Sequence, residues 1–226
     1  MAIVAAATAD AYLLSKLWPN WGALASGPPP RSSFMRAYQA SLSRHPERPP
    51  LDWRPVPLDA ISPHLQRALI VAEDSRFWRH EGVDVEALRE AVTTNLERGD
   101  LVFGGSTISQ QTAKNLFLTG ARDPLRKWHE LVLTLVMERK LPKRRILELY
   151  VNVAEFGLGV YGAEAAAWRY YGIPAAALSP RQAAELAASL PSPRRHNPST
   201  ATRTFQSRRD RILEHIEAAR AANAVR

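Results

Sequence analysis

Glu73 and Asp74 stand side by side where the apolar run Ala68-Leu69-Ile70-Val71-Ala72 gives out, with Phe77, His80 and Gly82 close behind. A carboxylate at the edge of an apolar core is partly desolvated, and an acidic neighbour adds repulsion. Both effects raise its pKa toward the range a general base needs. A second stretch, Gly104-Gly105-Ser106-Thr107-Ile108-Ser109-Gln110-Gln111, sets glycines before a helix start, where backbone N–H groups can approach an anion or a sugar. Ser106, Thr107, Gln110 and Gln111 supply the hydroxyls and amides that sugars require, and Lys114 and Asn115 follow one turn later. No Lys-Ser/Thr pair follows the glycines at P-loop spacing. In the third stretch, Arg126-Lys127-Trp128-His129-Glu130, helical geometry puts both cations on the face of Glu130, a phosphate-binding pair beside a second carboxylate. Taken singly, each stretch also fits something plainer: a solvated helix end, a capped polar helix, a surface ion-pair cluster. His80 has no second His or Cys at metal-site spacing and reads as a hydrogen-bonded structural histidine.

Helices must hold these residues. Ser62-Pro63 supplies an N-cap and a first-turn proline, followed by Leu65, Ala68, Leu69 and Ala72 at helical spacing. Asp84 caps a second helix ending near Gly99, and Ser106 a third running to about Phe117. Asp123-Pro124 opens a long one with Trp128, Leu131, Val132, Leu135 and Val136 on its apolar stripe, and Leu141-Pro142 stops it. Pro142 starts the next, through Ile146, Leu147 and Tyr150, and a small-residue helix over 160–171 stops at Gly172. Ser179-Pro180-Arg181-Gln182 is a capping box, and the last helix, about 200–223, is basic on its outer face. No stretch alternates with period two and no long repeat is present, so the reading is an all-α domain.

The 226 residues carry a formal charge of +8, with 46% apolar and 23% charged residues, the usage of a folded chain with a substantial core. The absence of cysteine excludes disulfides, thiolate catalysis and Cys-type zinc sites. The positive balance suits a polyanionic partner: nucleic acid, an anionic membrane or a phosphate-bearing substrate. Most prolines fall at or before Pro63, and residues 23–61 read as an extended, partly polyproline tether. Ahead of it, 1–22 reads as an N-terminal membrane anchor or, failing that, a helix packed on the domain. Ala2 to Trp18 would reach about 26 Å as a helix, just short of a bilayer core of about 30 Å. Asp10 would cost about 2.5–3.5 kcal/mol at the centre of such a span.

Taken in order, the stretches resemble the glycosyltransferase family 51 peptidoglycan glycosyltransferases, and more narrowly the monofunctional biosynthetic transglycosylases that lack a penicillin-binding domain. The five motifs of that family fall at Glu73 to Gly82, Gly104 to Asn115, Arg126 to Glu130, Lys143 to Asn152 and Arg194 to Pro198. His196 stands where many relatives carry tyrosine. The resemblance implies a lysozyme-like helical domain over 62–226 with a smaller membrane-facing lobe. It also implies the polymerisation of lipid II into β-1,4-linked glycan, with undecaprenyl diphosphate leaving in one inverting displacement.

In the same terms Glu73 is the general base on the acceptor hydroxyl, and Glu130 the second essential carboxylate near the donor diphosphate. Arg126, Lys127 and Lys114 neutralise that diphosphate; Ser106, Thr107, Gln110, Gln111 and Asn115 position sugar or diphosphate; Asp74, Phe77 and His80 support Glu73. No cofactor is required, although a divalent cation, Mg or Mn, at the diphosphate is one use for Glu130. The expected partners are lipid II, the growing glycan strand, the membrane surface and other cell-wall synthesis proteins, with no nucleic acid. The expected place is the bacterial cytoplasmic (inner) membrane, catalytic domain on the periplasmic or external side. Two other readings compete: a lysozyme-like glycan hydrolase or lytic transglycosylase, which leaves the cations beside Glu130 without use, and a non-catalytic basic module for membrane or nucleic acid, which leaves the carboxylates idle.

Overall fold

A computed structural model describes residues 1–98, 105–121 and 123–224. Within them most helices begin where a short polar side chain accepts the free N–H groups of a first turn; α1, α8 and α9 begin without one. Helix α1 (Ala2–Leu17) precedes α2 (Trp21–Ser26), capped by Asn20, and α3 (Ser33–Ser41), capped by Ser32. Strand β1 (Asp52–Trp53) and a 3-10 turn at Leu58–Ala60 lead into α4 (Pro63–Glu73), capped by Ser62 as expected. Helix α5 (Val85–Arg98) is capped by Asp84, which accepts from Ala87 N at 2.9 Å. Gly99, expected as its stop, and Gly104 lie outside the described residues. Next come α6 (Ile108–Phe117), α7 (Pro124–Lys140), opened by Asp123, and α8 (Lys143–Val153). Strands β2 (Glu155–Gly157) and β3 (Val160–Tyr161) precede α9 (Ala163–Tyr171), whose chain turns off through a left-handed Gly172. The Ser179–Gln182 capping box opens α10 (Pro180–Ser189), and α11 (Arg203–Ala224) is the last described helix.

The core is continuous. Helix α10 lies between α4 and α11, and α6 packs against α7 and α8. Leu65, Leu69, Ile108, Leu133, Met137, Ile146 and Tyr150 are buried in it. The two glutamates thus come from different packed groups: Glu73 ends α4, and Glu130 sits within α7.

Four expectations are corrected. The segment 23–61 is folded onto the body rather than extended, with Leu24, Met35, Tyr38, Leu58 and Ile61 buried. Proline blocks regular periodicity there, so its burial is scattered and left no pattern. A strap of hydrogen bonds fixes it to α8: Asn152 Oδ1 accepts from Val56 N at 2.9 Å, Asn152 Nδ2 donates to Val56 O at 2.8 Å, and Trp53 Nε1 donates to Asn152 O at 2.9 Å. Second, the helical domain carries a small sheet in the order β1-β3-β2, with β1 parallel and β2 antiparallel to β3. Strands of two or three residues are too short to show alternation. Third, Thr107 rather than Ser106 caps α6. Fourth, the buried side of α7 is His129, Glu130, Leu133, Thr134 and Met137, while Trp128 and Leu135 are exposed by 51% and 38%. Leu131, Val132 and Val136 are half-buried, so the stripe read from sequence lies to one side of the true inner face, which mixes Leu133 and Met137 with three polar groups.

Helix α1 lies against the body. Leu14 and Leu17 pack on the core, and Asp10 pairs with His129 Nε2 at 2.6 Å and accepts from Trp128 Nε1 at 3.2 Å. Among the described residues no helix is long and apolar enough to cross a membrane.

Candidate active site

Helix α4 runs out at Glu73, and Asp74 breaks it with an extended φ of −166° and a backbone N–H returned to Ile70 O. The Asp74 carboxylate then clamps three segments. It accepts from Ile108 N, at the start of α6, at 2.9 Å, and meets His80 Nε2 at 2.9 and 3.0 Å. Gly82 N donates to His80 Nδ1 at 3.1 Å, which leaves the ring proton on Nε2, directed at Asp74. Gly82 has to be glycine: its φ is +98°, and a Cβ would meet Thr134 Cγ2 at 3.0 Å. Its carbonyl accepts from Thr107 Oγ1 at 2.6 Å. Phe77, fully buried, carries Lys143 Nζ 4.6 Å above its ring, and Lys143 in turn pairs with Glu138 at 2.7 Å. Asp74, Phe77 and His80 therefore act as supports, joining the ends of α4 and α6.

That clamp sets Glu73 against α6. Gln111 Nε2 donates to Glu73 Oε2 at 2.8 Å, and Gln111 Oε1 accepts from the buried Tyr150 hydroxyl at 3.3 Å, which fixes the amide's orientation. Residues of the first, second and fourth motifs thus form one chain of hydrogen bonds. Burial pushes the Glu73 carboxyl above the ordinary glutamate range and Asp74 adds to the rise, opposed by the Gln111 bond and by the charges of Arg208 and Lys114. Burial likewise pushes the Lys114 ammonium down, while Glu130 and Glu73 both hold it up. Lys114 therefore sits in the fields of both glutamates and connects them electrostatically.

Glu73 opens on a cavity of about 680 Å³ whose other polar lining comes from Ser106, Gln111, Lys114, Arg208, Arg211 and His215. A smaller pocket of about 150 Å³ shares Gln111 and Lys114 and adds Asn115, Tyr150 and Glu155. Of the residues expected to touch substrate, Ser106, Gln111, Lys114 and Asn115 line these spaces. Thr107 and Gln110 form the buried capping box of α6, Thr107 Oγ1 accepting from Gln110 N and Gln110 Oε1 from Thr107 N, and Thr107 also lines a space of about 170 Å³ with Glu73 and Ser106.

In α7, Glu130 is 2% exposed and takes Arg126 Nη1 on one oxygen at 2.7 Å and Lys127 Nζ on the other. Arg126 Nε is buried and has no hydrogen-bond partner among the described residues. The donor set does not suit a cation held by protein side chains. Both Glu130 oxygens are engaged by cationic groups, and among the described residues no three acidic or imidazole side chains gather at one point.

Sequence reasoning missed the contribution of α11. Arg208, Arg211 and His215 belong to none of the five motifs, and the sequence alone places the basic face of this helix outward. Their entry into the cavity follows from the packing of α11 on α4 and α10, which no local pattern announces.

Comparison with known proteins agrees with this arrangement. A family described as Transglycosylase matches residues 44–217. A biosynthetic peptidoglycan transglycosylase of Nitrosospira multiformis is 47% identical over 84% of this chain and 83% of its own length. Proteins of the same name from Rhodospirillum centenum and Thiobacillus denitrificans are 50% identical over 80% of this chain and 76% of their protein, and 53% identical over 68% and 66%. A poised glutamate over a cationic cleft, five motifs in order and relatives this similar along most of the sequence lead to one conclusion: the chain belongs to the transglycosylase family.

Proposed function

We propose that this protein is a peptidoglycan glycosyltransferase that joins lipid II units into a β-1,4-linked glycan strand and releases undecaprenyl diphosphate. The observation that carries the reading is Glu73, a carboxyl lifted by burial, opening on a cavity beside Lys114, whose ammonium also feels Glu130. Glu73 takes the proton of the acceptor 4-hydroxyl as that oxygen forms its bond to the donor anomeric carbon. The bond from that carbon to the diphosphate oxygen breaks on the opposite face, its electron pair leaves with the diphosphate, and the anomeric centre inverts from α to β. Arg126, Lys127 and Lys114 stabilise the charge that develops on the leaving group. Glu130, buried between Arg126 and Lys127, holds those cations in register and serves as a positioning residue. A divalent cation at the diphosphate would come with the substrate's own oxygens, and no step here depends on it.

A hydrolase has no use for a cleft rich in cations, so the transferase reading is preferred. The exposed Leu125, Trp128 and Leu135 of α7, Tyr12 and Leu13 of α1, and Trp18 just beyond it supply an apolar surface for the headgroup region of the bacterial cytoplasmic membrane. Lys and Arg near such a surface gain about 1 kcal/mol each from anionic lipid, which accounts for the net charge. The decisive experiment is gel analysis of polymer made from labelled lipid II. The wild type is expected to give long glycan and Glu73→Gln none, with folding retained. Polymer from the Glu73→Gln protein would defeat the assignment.

A further inference from the structure

Helix α11 presents Arg208, Arg211 and His215 to the Glu73 cavity. Spacings of three and then four residues put them on one side of the helix, along about 10 Å of its axis. The buried Phe205, Ile212 and Ile216 hold the helix in this orientation against α4 and α10. Away from the cavity, Arg209 of α11 is matched, pairing with Asp210 at 2.8 Å and reaching Glu185 at 3.7 Å. The cavity side is unmatched. Arg208 makes one long bond, to Ala188 O at 3.5 Å, and neither Arg211 nor His215 has a partner among the described residues. Lys114 has no ion-pair partner there either, and Glu73 is the one carboxylate among the described residues lining this space. Two guanidinium groups and an ammonium facing one carboxylate make a cavity built for an anion.

We infer that the row Arg208–Arg211–His215 is a second anion-binding wall of the cleft, which holds the diphosphate of the lipid-linked sugar whose hydroxyl Glu73 deprotonates. The inference rests on the glycosyltransferase reading. Joining two lipid-linked sugars requires the cleft to hold two diphosphates together, and the Arg126–Lys127–Glu130 cluster serves the departing one. Arg208 is the member whose charge acts on Glu73, and the row runs on from there. The accepting hydroxyl and its diphosphate lie at opposite ends of one disaccharide, so an anion site displaced along a helix from the base is the geometry required. The planar fork of arginine matches phosphate oxygens.

The test is calorimetric titration of the whole protein, made inactive by Glu73→Gln, with a short-chain lipid-linked disaccharide diphosphate that lacks the stem peptide. Two classes of site are expected. Adding Arg208→Gln and Arg211→Gln should weaken one class about tenfold or more. Adding Arg126→Gln instead should weaken the other, and Arg208→Lys should keep part of the affinity that Arg208→Gln loses. A parallel titration uses the peptide-bearing disaccharide with no phosphate, which the α11 variants should leave unchanged. Unaltered diphosphate binding in the α11 variants would overturn the inference. So would a loss confined to the peptide-bearing probe, which would give the row to stem-peptide carboxylates. If the wild type makes no polymer while the α11 variants still lose the diphosphate probe, the functional reading fails and the anion wall stands. If it polymerises and binding is unmoved, the anion wall alone fails.

Discussion

Glu73→Gln is expected to stabilise the fold while it removes the base, and the gain should depend on pH. Burial raises the Glu73 carboxyl above its value in the unfolded chain, and the opposing charges of Lys114 and Arg208 do not cancel the rise. A group shifted this way contributes stability that is complete below its unfolded pKa and is lost as pH climbs through its folded pKa. Glutamine imitates the protonated carboxyl and keeps the hydrogen bond from Gln111 through its own Oε1, so it escapes that loss. Each unit of upward shift corresponds to about 1.4 kcal/mol. For a chain of this size that is roughly 3–6 °C in Tm. Melting curves of both proteins between pH 4 and 9, at about constant ionic strength, should nearly coincide at the acid end, with the variant pulling ahead as pH rises and then levelling off. A variant that melts below the wild type at pH 8, or a gap that ignores pH, would show that Glu73 is held as a favourable ion with its cationic neighbours, and the argument for a poised base would fall.

The acid limb of kcat/KM should lie above the ordinary carboxylate range, with the rate falling as Glu73 gains its proton. Gln111→Leu, which removes a donor favouring the ionised form, should move that limb further up in a pH–rate profile. Asp74→Ala leaves Ile108 N and His80 without their shared acceptor and should cost about 2–4 kcal/mol in urea unfolding. Gly82→Ala forces a Cβ into a left-handed position against Thr134 and should cost about 1–3 kcal/mol, measured the same way. Arg126→Met should lower kcat/KM for lipid II more than Lys127→Met, because the Arg126 side chain is 16% exposed and that of Lys127 49%, where solvent screens its charge.

Much of this was legible locally. Ser62, Asp84, Asp123 and Ser179 each accept a backbone N–H of the helix they were expected to open, because a cap is a contact between residues two or three apart. The acidic pair after an apolar run also described its surroundings, and the desolvation inferred for Glu73 is the largest influence on it. The failures share a cause. Ser106 and Thr107 are both competent caps, and the choice fell to Thr107 because Gly82, twenty-five residues away, accepts its hydroxyl. The apolar stripe of α7 predicts an inward-facing side, yet Trp128 and Leu135 are exposed and the buried side sets His129, Glu130 and Thr134 beside Leu133 and Met137. The parallel pairing of Asp52 with Val160 and the entry of Arg208 beside Glu73 join distant parts of the chain, and periodicity says nothing about which distant parts meet.

The strap between residues 53–56 and Asn152 has a kinetic consequence. Its two halves are about a hundred positions apart, so loop closure must precede any reward from those bonds. During synthesis the early segment emerges with nothing to pair with until α8 has followed it. Ribosome-stalled fragments should stay open to protease while Asn152 is still inside the ribosome, and should become resistant only once α10 and α11 have emerged to cover α4. Assembly of this enzyme is therefore a late event on the ribosome, completed when the second half of the polypeptide closes over the first.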